Sequence, residues 1–233
     1  MNKIRTVVVA IGAIGLLGAG FGTAEAGAAS GTILSPFMAG YVAHGCSGSP
    51  TCFQAVQATL TVPSLNCAKY PTADVDHFVA IGFDNTAILH ESCQSGSPSY
   101  QAEYLSSLGT GVLPLAISPG DDVELSVNNK TITVYDLTTG SNAQALGDTV
   151  AGEPSAEVVT APASDSAIAD FTQAGFRQIQ VQAGGQSVKK PFASFNVQGY
   201  ILVNGMNTPL VKPEALLSGK NASAFTNDWV HAS

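Results

Sequence analysis

Three ionisable side chains stand in this sequence where strands should be most apolar. His90 and Glu91 follow directly on Ala87-Ile88-Leu89, and Glu157 lies inside Ser155-Ala156-Glu157-Val158-Val159. A carboxyl group can take a proton from water and return it to a leaving group; an imidazole can donate a hydrogen bond or exchange a proton near neutrality. Polar groups on strand faces that look into one concavity are how an all-β protein builds a site. The plainer readings are a hydrogen-bonded structural histidine and an edge-strand glutamate facing solvent. No G-x-S-x-G elbow supports Ser-His-Asp catalysis. His44-Gly45-Cys46 is half of a metal site at best, because no second ligand pair has zinc-like spacing, so neither metal nor cofactor is expected.

The elements that must position these groups read as strand and turn. From His77 to Tyr104, two apolar runs are joined by a Gly/Ser/Pro loop at Cys93-Gln94-Ser95-Gly96-Ser97-Pro98-Ser99, the pattern of adjacent antiparallel strands. Ala55 to Val62 alternates with period two and stops at Pro63. Further runs lie at 115–117, 123–127, 131–135, 168–171, 176–181, 192–203 and 225–230, with Gly, Pro, Asn and Asp between them. Strands about 8–12 residues apart mark a sandwich or barrel. Only Pro213 to Leu217 reads as a helical turn. There is no internal repeat, no heptad pattern and no linker to split the domain.

The first 26 residues read as a secretory signal peptide: basic Lys3 and Arg5, an apolar stretch from Val7 to Leu17, and Ala24-Glu25-Ala26 before the cut. The apolar stretch is interrupted by Gly12, Gly15 and Gly18 and falls short of the roughly 20 apolar residues that span a bilayer. The expected product is secreted, with no membrane segment in its mature form: residues 27–36 as a leading segment and 37–233 as one domain. Nine Lys+Arg against 17 Asp+Glu, a net charge of −8, leave no basic stripe for nucleic acid. Four cysteines, Cys46, Cys52, Cys67 and Cys93, favour disulfides in an exported chain. Of three possible connectivities, the favoured one closes a small loop with Cys46–Cys52 and ties two strand ends with Cys67–Cys93. Asn129-Lys130-Thr131 and Asn221-Ala222-Ser223 fit the glycosylation sequon, which matters only in a eukaryotic secretory host.

An ordered set of short blocks resembles the glutamic peptidases (eqolisins). Phe53 to Pro63 is similar to that family's stretch ending in T-F-T-V-P, and His77-Phe78-Val79-Ala80-Ile81 to its A-W-V-G-I. Ile117-Ser118-Pro119-Gly120-Asp121 matches I-S-x-G-D, Asp136-Leu137-Thr138-Thr139-Gly140 matches N-L-T-T-G, and Ser155-Ala156-Glu157 matches N/S-A-E. Ala169-Asp170-Phe171, and Phe225-Thr226 with Trp229, resemble later elements. The resemblance implies an all-β, concanavalin-like sandwich of two antiparallel sheets, which agrees with the strand pattern. It also implies endoproteolysis in acid by a glutamine–glutamate dyad, acting on peptide or unfolded protein as a monomer. In such a dyad the glutamate activates water and protonates the leaving amine, while the amide stabilises the oxyanion.

Glu157 matches the dyad glutamate, but the glutamine position is His90, in Ile88-Leu89-His90-Glu91-Ser92. An imidazole can donate as an amide can, yet in acid it is a cation, expected to push the Glu157 pKa down. Gln94 replaces the lost amide only if the strand register shifts. Phe78 stands where the family has a cleft tryptophan. Asp84, Tyr100 and Tyr104 complete the expected substrate-binding set, with sheet-face packing the plainer reading of both tyrosines. Two other readings remain: a catalytically silent relative that binds peptides in the same cleft, and a lectin-like glycan binder suggested by fold analogy alone.

Overall fold

Along Phe53–Thr61, Val56, Ala58 and Leu60 are fully buried while Gln57 between them is half-exposed. That period of two lays one face of a strand on a core, and it recurs along the chain. The computed structural model describes residues 30–45, 52–82, 85–148, 154–164, 167–220 and 222–232. The strands are β1 (Ser30–Ser35), β2 (Ala39–His44), β3 (Phe53–Thr61), β4 (Asp74–Ile81), β5 (Asn85–Gln94), β6 (Ser97–Ser106) and β7 (Gly109–Leu113). There follow β8 (Asp122–Asn128), β9 (Thr131–Asp136), β10 (Ser141–Leu146), β11 (Ser155–Ala161) and β12 (Gln173–Ala183). The last are β13 (Lys190–Pro191), β14 (Asn196–Val203), β15 (Pro209–Pro213), β16 (Leu217–Ser218) and β17 (Ser223–Trp229).

Hydrogen-bonded ladders order a front layer as β1–β14–β2–β11–β4–β5–β6–β7. The back layer runs β17–β12–β3–β8–β9–β10. Pairing is antiparallel except between β1 and β14, and β15 pairs with both β14 and β17, so it joins the layers at one side. The expected all-β sandwich of antiparallel layers is therefore what the chain forms. Between the layers lies one core, with Val75, Val79, Leu89 and Val158 from the front and Leu60, Leu125, Phe176 and Phe225 from the back.

Several local expectations change. The helical turn at Pro213 to Leu217 does not form; extended chain passes from β15 to β16 instead. Tyr41 supplies what the helix would have: its hydroxyl donates to the Glu214 carbonyl at 2.7 Å and accepts from the Leu216 amide at 3.1 Å. The run at 115–117 is not a strand, and Ile168 makes an isolated bridge to Asp74 rather than opening a strand. Residues 30–35, expected to precede the domain, contribute β1. The Asp136–Gly140 block is a turn whose buried carboxylate accepts from the Thr138 and Thr139 amides and the Thr139 hydroxyl.

Cys67 and Cys93 form a disulfide with Cα atoms 5.4 Å apart, tying the end of β5 to the segment before β4. Cys52 is also disulfide-bonded. Cys46, the other end of the favoured pairing, lies outside the described residues, as do the signal-peptide stretch and Asp84.

Candidate active site

β11 occupies the middle of the front layer, hydrogen-bonded to β2 on one side and β4 on the other. Its even-numbered residues Ala156, Val158 and Thr160 face the core, so Glu157 and Val159 face away from it. Glu157 is nonetheless only 2% exposed, and the Ser155 hydroxyl, two residues back on the same face, donates to its Oε1 at 3.1 Å. Burial pushes the Glu157 carboxyl up to about 7, against a smaller lowering by the Ser155 bond. Desolvation penalises the charged form. The pKa expected to fall beside a cationic His90 therefore rises, because burial decides it.

Residues paired across an antiparallel ladder point to the same face. Glu157 pairs with Ala80, Ala80 with Thr86, and His90 lies four residues further along β5 opposite Asp76. His90 and Glu157 thus share the outer face of the front layer. At about 3.3 Å per residue and 4.8 Å per strand, their Cα atoms stand roughly 16 Å apart. Phe78 sits midway, on β4 between them and one row in from each. Its ring packs with Met38, Val42 and Val159. The two polar groups therefore flank an aromatic floor instead of touching.

His90 has its own partner, which the sequence reading missed: its Nδ1 lies 2.8 Å from Asp76 Oδ1, with the two side chains 5% and 17% exposed. Glu103 and Gln101 on β6 face the same side, opposite Ile88 and His90. The β4–β5 ladder runs without a shift from Asp74↔Ser92 to Ile81↔Asn85. Gln94, exposed at the end of β5, therefore does not replace the dyad amide.

Tyr100 and Tyr104 are corrected as cleft residues. They pair with Glu91 and Ala87, which face the core, and both pack against the main core cluster. Tyr100 also accepts from the Leu65 amide at 3.2 Å. Glu91, adjacent to His90 in sequence, points the opposite way, where its Oε2 lies 3.8 Å from His77 Nε2 with both side chains fully buried. Burial lowers His77 to about 3 and raises Glu91 well above the carboxylate range, with Asp76 adding to the latter. His77 Nδ1 lies 2.8 Å from the Thr160 hydroxyl, which also accepts from Asn227. This polar layer inside the sandwich is structural.

The profile of the Peptidase A4 family matches residues 36–205. A crystal structure of scytalido-glutamic peptidase with a peptide-based transition state analog superimposes with a TM-score of 0.66 at 18% identity, covering 84% of this chain and 98% of that one. A second, with a transition state analog inhibitor, gives 0.64 at 20% identity over the same shares. At such identity the likeness is one of fold. No curated protein sequence matches the chain significantly.

Proposed function

The chain belongs to the Peptidase A4 family, and from that premise we propose that it is an exported endopeptidase with Glu157 as general acid and base. The observation that carries this reading is the placement of Glu157: a buried carboxyl group, pushed up to about 7, on the outer face of the central strand. Ionised, it takes a proton from water as the water oxygen attacks the peptide carbonyl. Protonated, it returns that proton to the leaving nitrogen as the C–N bond breaks. A group with so raised a pKa is a competent acid at neutral pH, and its water-activating form grows as pH rises through about 7.

His90 stands at the dyad-glutamine position and contributes a second polar group to the same face, beyond Phe78. Phe78 offers an apolar surface for a substrate side chain. Export is supported by the leader pattern and by the Cys67–Cys93 disulfide, which suits an oxidising compartment. A second reading, a silent relative that only binds peptides, is favoured by the Asp76–His90 bond and by the separation of His90 from Glu157. The test is proteolysis of an unfolded protein between pH 3 and 8 by wild type and Glu157→Ala. Cleavage by wild type that the variant loses supports the peptidase, and an inert wild type leaves the silent reading.

A further inference from the structure

One row of the front layer crosses four strands as Ala161, Asp76, His90 and Gln101. Residues paired in this way point to one face, here the outer face that also carries Phe78. Side chains directly opposite on neighbouring strands have Cβ atoms about 5 Å apart. The row therefore sets a carboxylate, an imidazole and an amide side by side, with only the methyl group of Ala161 beyond the carboxylate. Asp76 Oδ1 lies 2.8 Å from His90 Nδ1. That contact puts the proton of the neutral ring on Nδ1 and the lone pair on Nε2. Gln101 is half-buried, and its amide makes no hydrogen bond to another described residue. The row is bordered on one side by Phe78 and Ile88 and on the other by Ser92 and Ser99. Glu157 belongs to a different row, four residues from Ala161 along β11.

We propose that this row is an acyl-hydrolysing centre, with His90 as general base, Gln101 as oxyanion donor and Asp76 as the residue that positions the imidazole. The centre takes its substrate, a peptide carbonyl, from the peptidase reading of this face, but it does not rest on Glu157. His90 Nε2 accepts a proton from water as the water oxygen bonds to the carbonyl carbon. The carbonyl π pair moves onto oxygen, and that oxyanion accepts an N–H from the Gln101 amide. Collapse re-forms the carbonyl, the bond to the leaving nitrogen breaks, and its electron pair takes the proton from Nε2. Asp76 accepts from Nδ1 throughout, and its charge offsets that of the transient imidazolium. Phe78 and Ile88 give a substrate side chain an apolar seat beside the reacting carbonyl.

Two substrates test the assignment, an unfolded protein and p-nitrophenyl acetate, an activated ester whose leaving group needs no proton. His90→Ala should lower kcat by about a hundred- to ten-thousandfold. Gln101→Leu should lower it by about a hundred- to a thousandfold, with KM changed less than about threefold. Asp76→Asn should lower kcat and move the acid-side limb of kcat/KM to lower pH, since the imidazolium loses its carboxylate. The ionisable groups that face His90 are Asp74 and Asp76 on β4 and Glu103 on β6, with Glu157 two rows away on β11. Peptide cleavage that Glu157→Gln abolishes and His90→Ala retains overturns this centre and leaves the Glu157 reading standing. Ester hydrolysis that His90→Ala removes supports the centre even where the unfolded protein stays intact, and then only the peptidase reading falls. A wild type inert on both substrates overturns the centre. Should His90→Ala not accumulate as folded protein, the wild-type pH profile decides. Ester hydrolysis that rises with the NMR titration of the His90 imidazole supports the centre, and a rate indifferent to it overturns the centre.

Discussion

Asp76 Oδ1 lies 2.8 Å from His90 Nδ1, on two residues that face each other directly across β4 and β5. A carboxylate at that nitrogen fixes the ring and makes Nδ1 its donor, so any further polar contact of the imidazole is made through Nε2. An acid and an imidazole thus stand as a pair on the outer face of the front layer.

Asp76→Asn should lower the pH at which His90 loses its proton, because a carboxylate within hydrogen-bond distance favours the imidazolium. Glu103 on β6 and Glu157 on β11 face the same side and remain in both proteins. Imidazole carbon shifts followed by NMR across pH 4–9 give the comparison directly. Identical titration of His90 in the two proteins would show that the pair is not an ionic one.

Glu157→Gln should flatten the dependence of stability on pH. The carboxyl is raised in the folded state, so it ionises in the unfolded chain first. Its contribution is intact below about 4.5 and is lost as pH rises to about 7. That shift corresponds to a loss of about 3 kcal/mol, complete above pH 7. Urea unfolding at pH 4 and pH 8 should therefore show wild type losing stability relative to the variant by that order. Parallel behaviour of the two proteins would contradict a buried carboxyl at this position.

Glu91→Leu should stabilise the fold at neutral pH. Neither carboxyl oxygen of Glu91 has a hydrogen-bond partner among the described residues, and the side chain is fully buried beside His77. Removing an unsatisfied buried polar group recovers about 1–3 kcal/mol, and leucine fills a similar space. Thermal melting at pH 7 reads the change. A lower melting temperature would mean that Glu91 and His77 hold each other usefully.

Replacing both Cys67 and Cys93 by alanine should cost about 3–4 kcal/mol, from the entropy a closed loop of this length removes from the unfolded chain. The two are 26 positions apart and both are buried. Denaturant unfolding of the double variant measures it. A loss under 1 kcal/mol would place the stabilising role of the cross-link elsewhere.

Much of the fold was legible because side-chain alternation is a local property of a strand. The period of two already separates His90 from Glu91 and Glu157 from Val158, and the turn residues already mark where Asp136–Gly140 must reverse the chain. Alternation cannot say which face will meet the core. Tyr100 and Tyr104 could have lined a cleft or packed on a sheet face, and the back layer decided for packing. The partner of His90 was likewise beyond the sequence, for a register between strands is set by how the whole sandwich packs. Asp76 is 14 positions from His90, and only the β4–β5 ladder sets the two opposite each other. Residue types fixed what chemistry was available. The pairing of β2, β11, β4 and β5 decided which groups share a face and put Phe78 between Glu157 and His90.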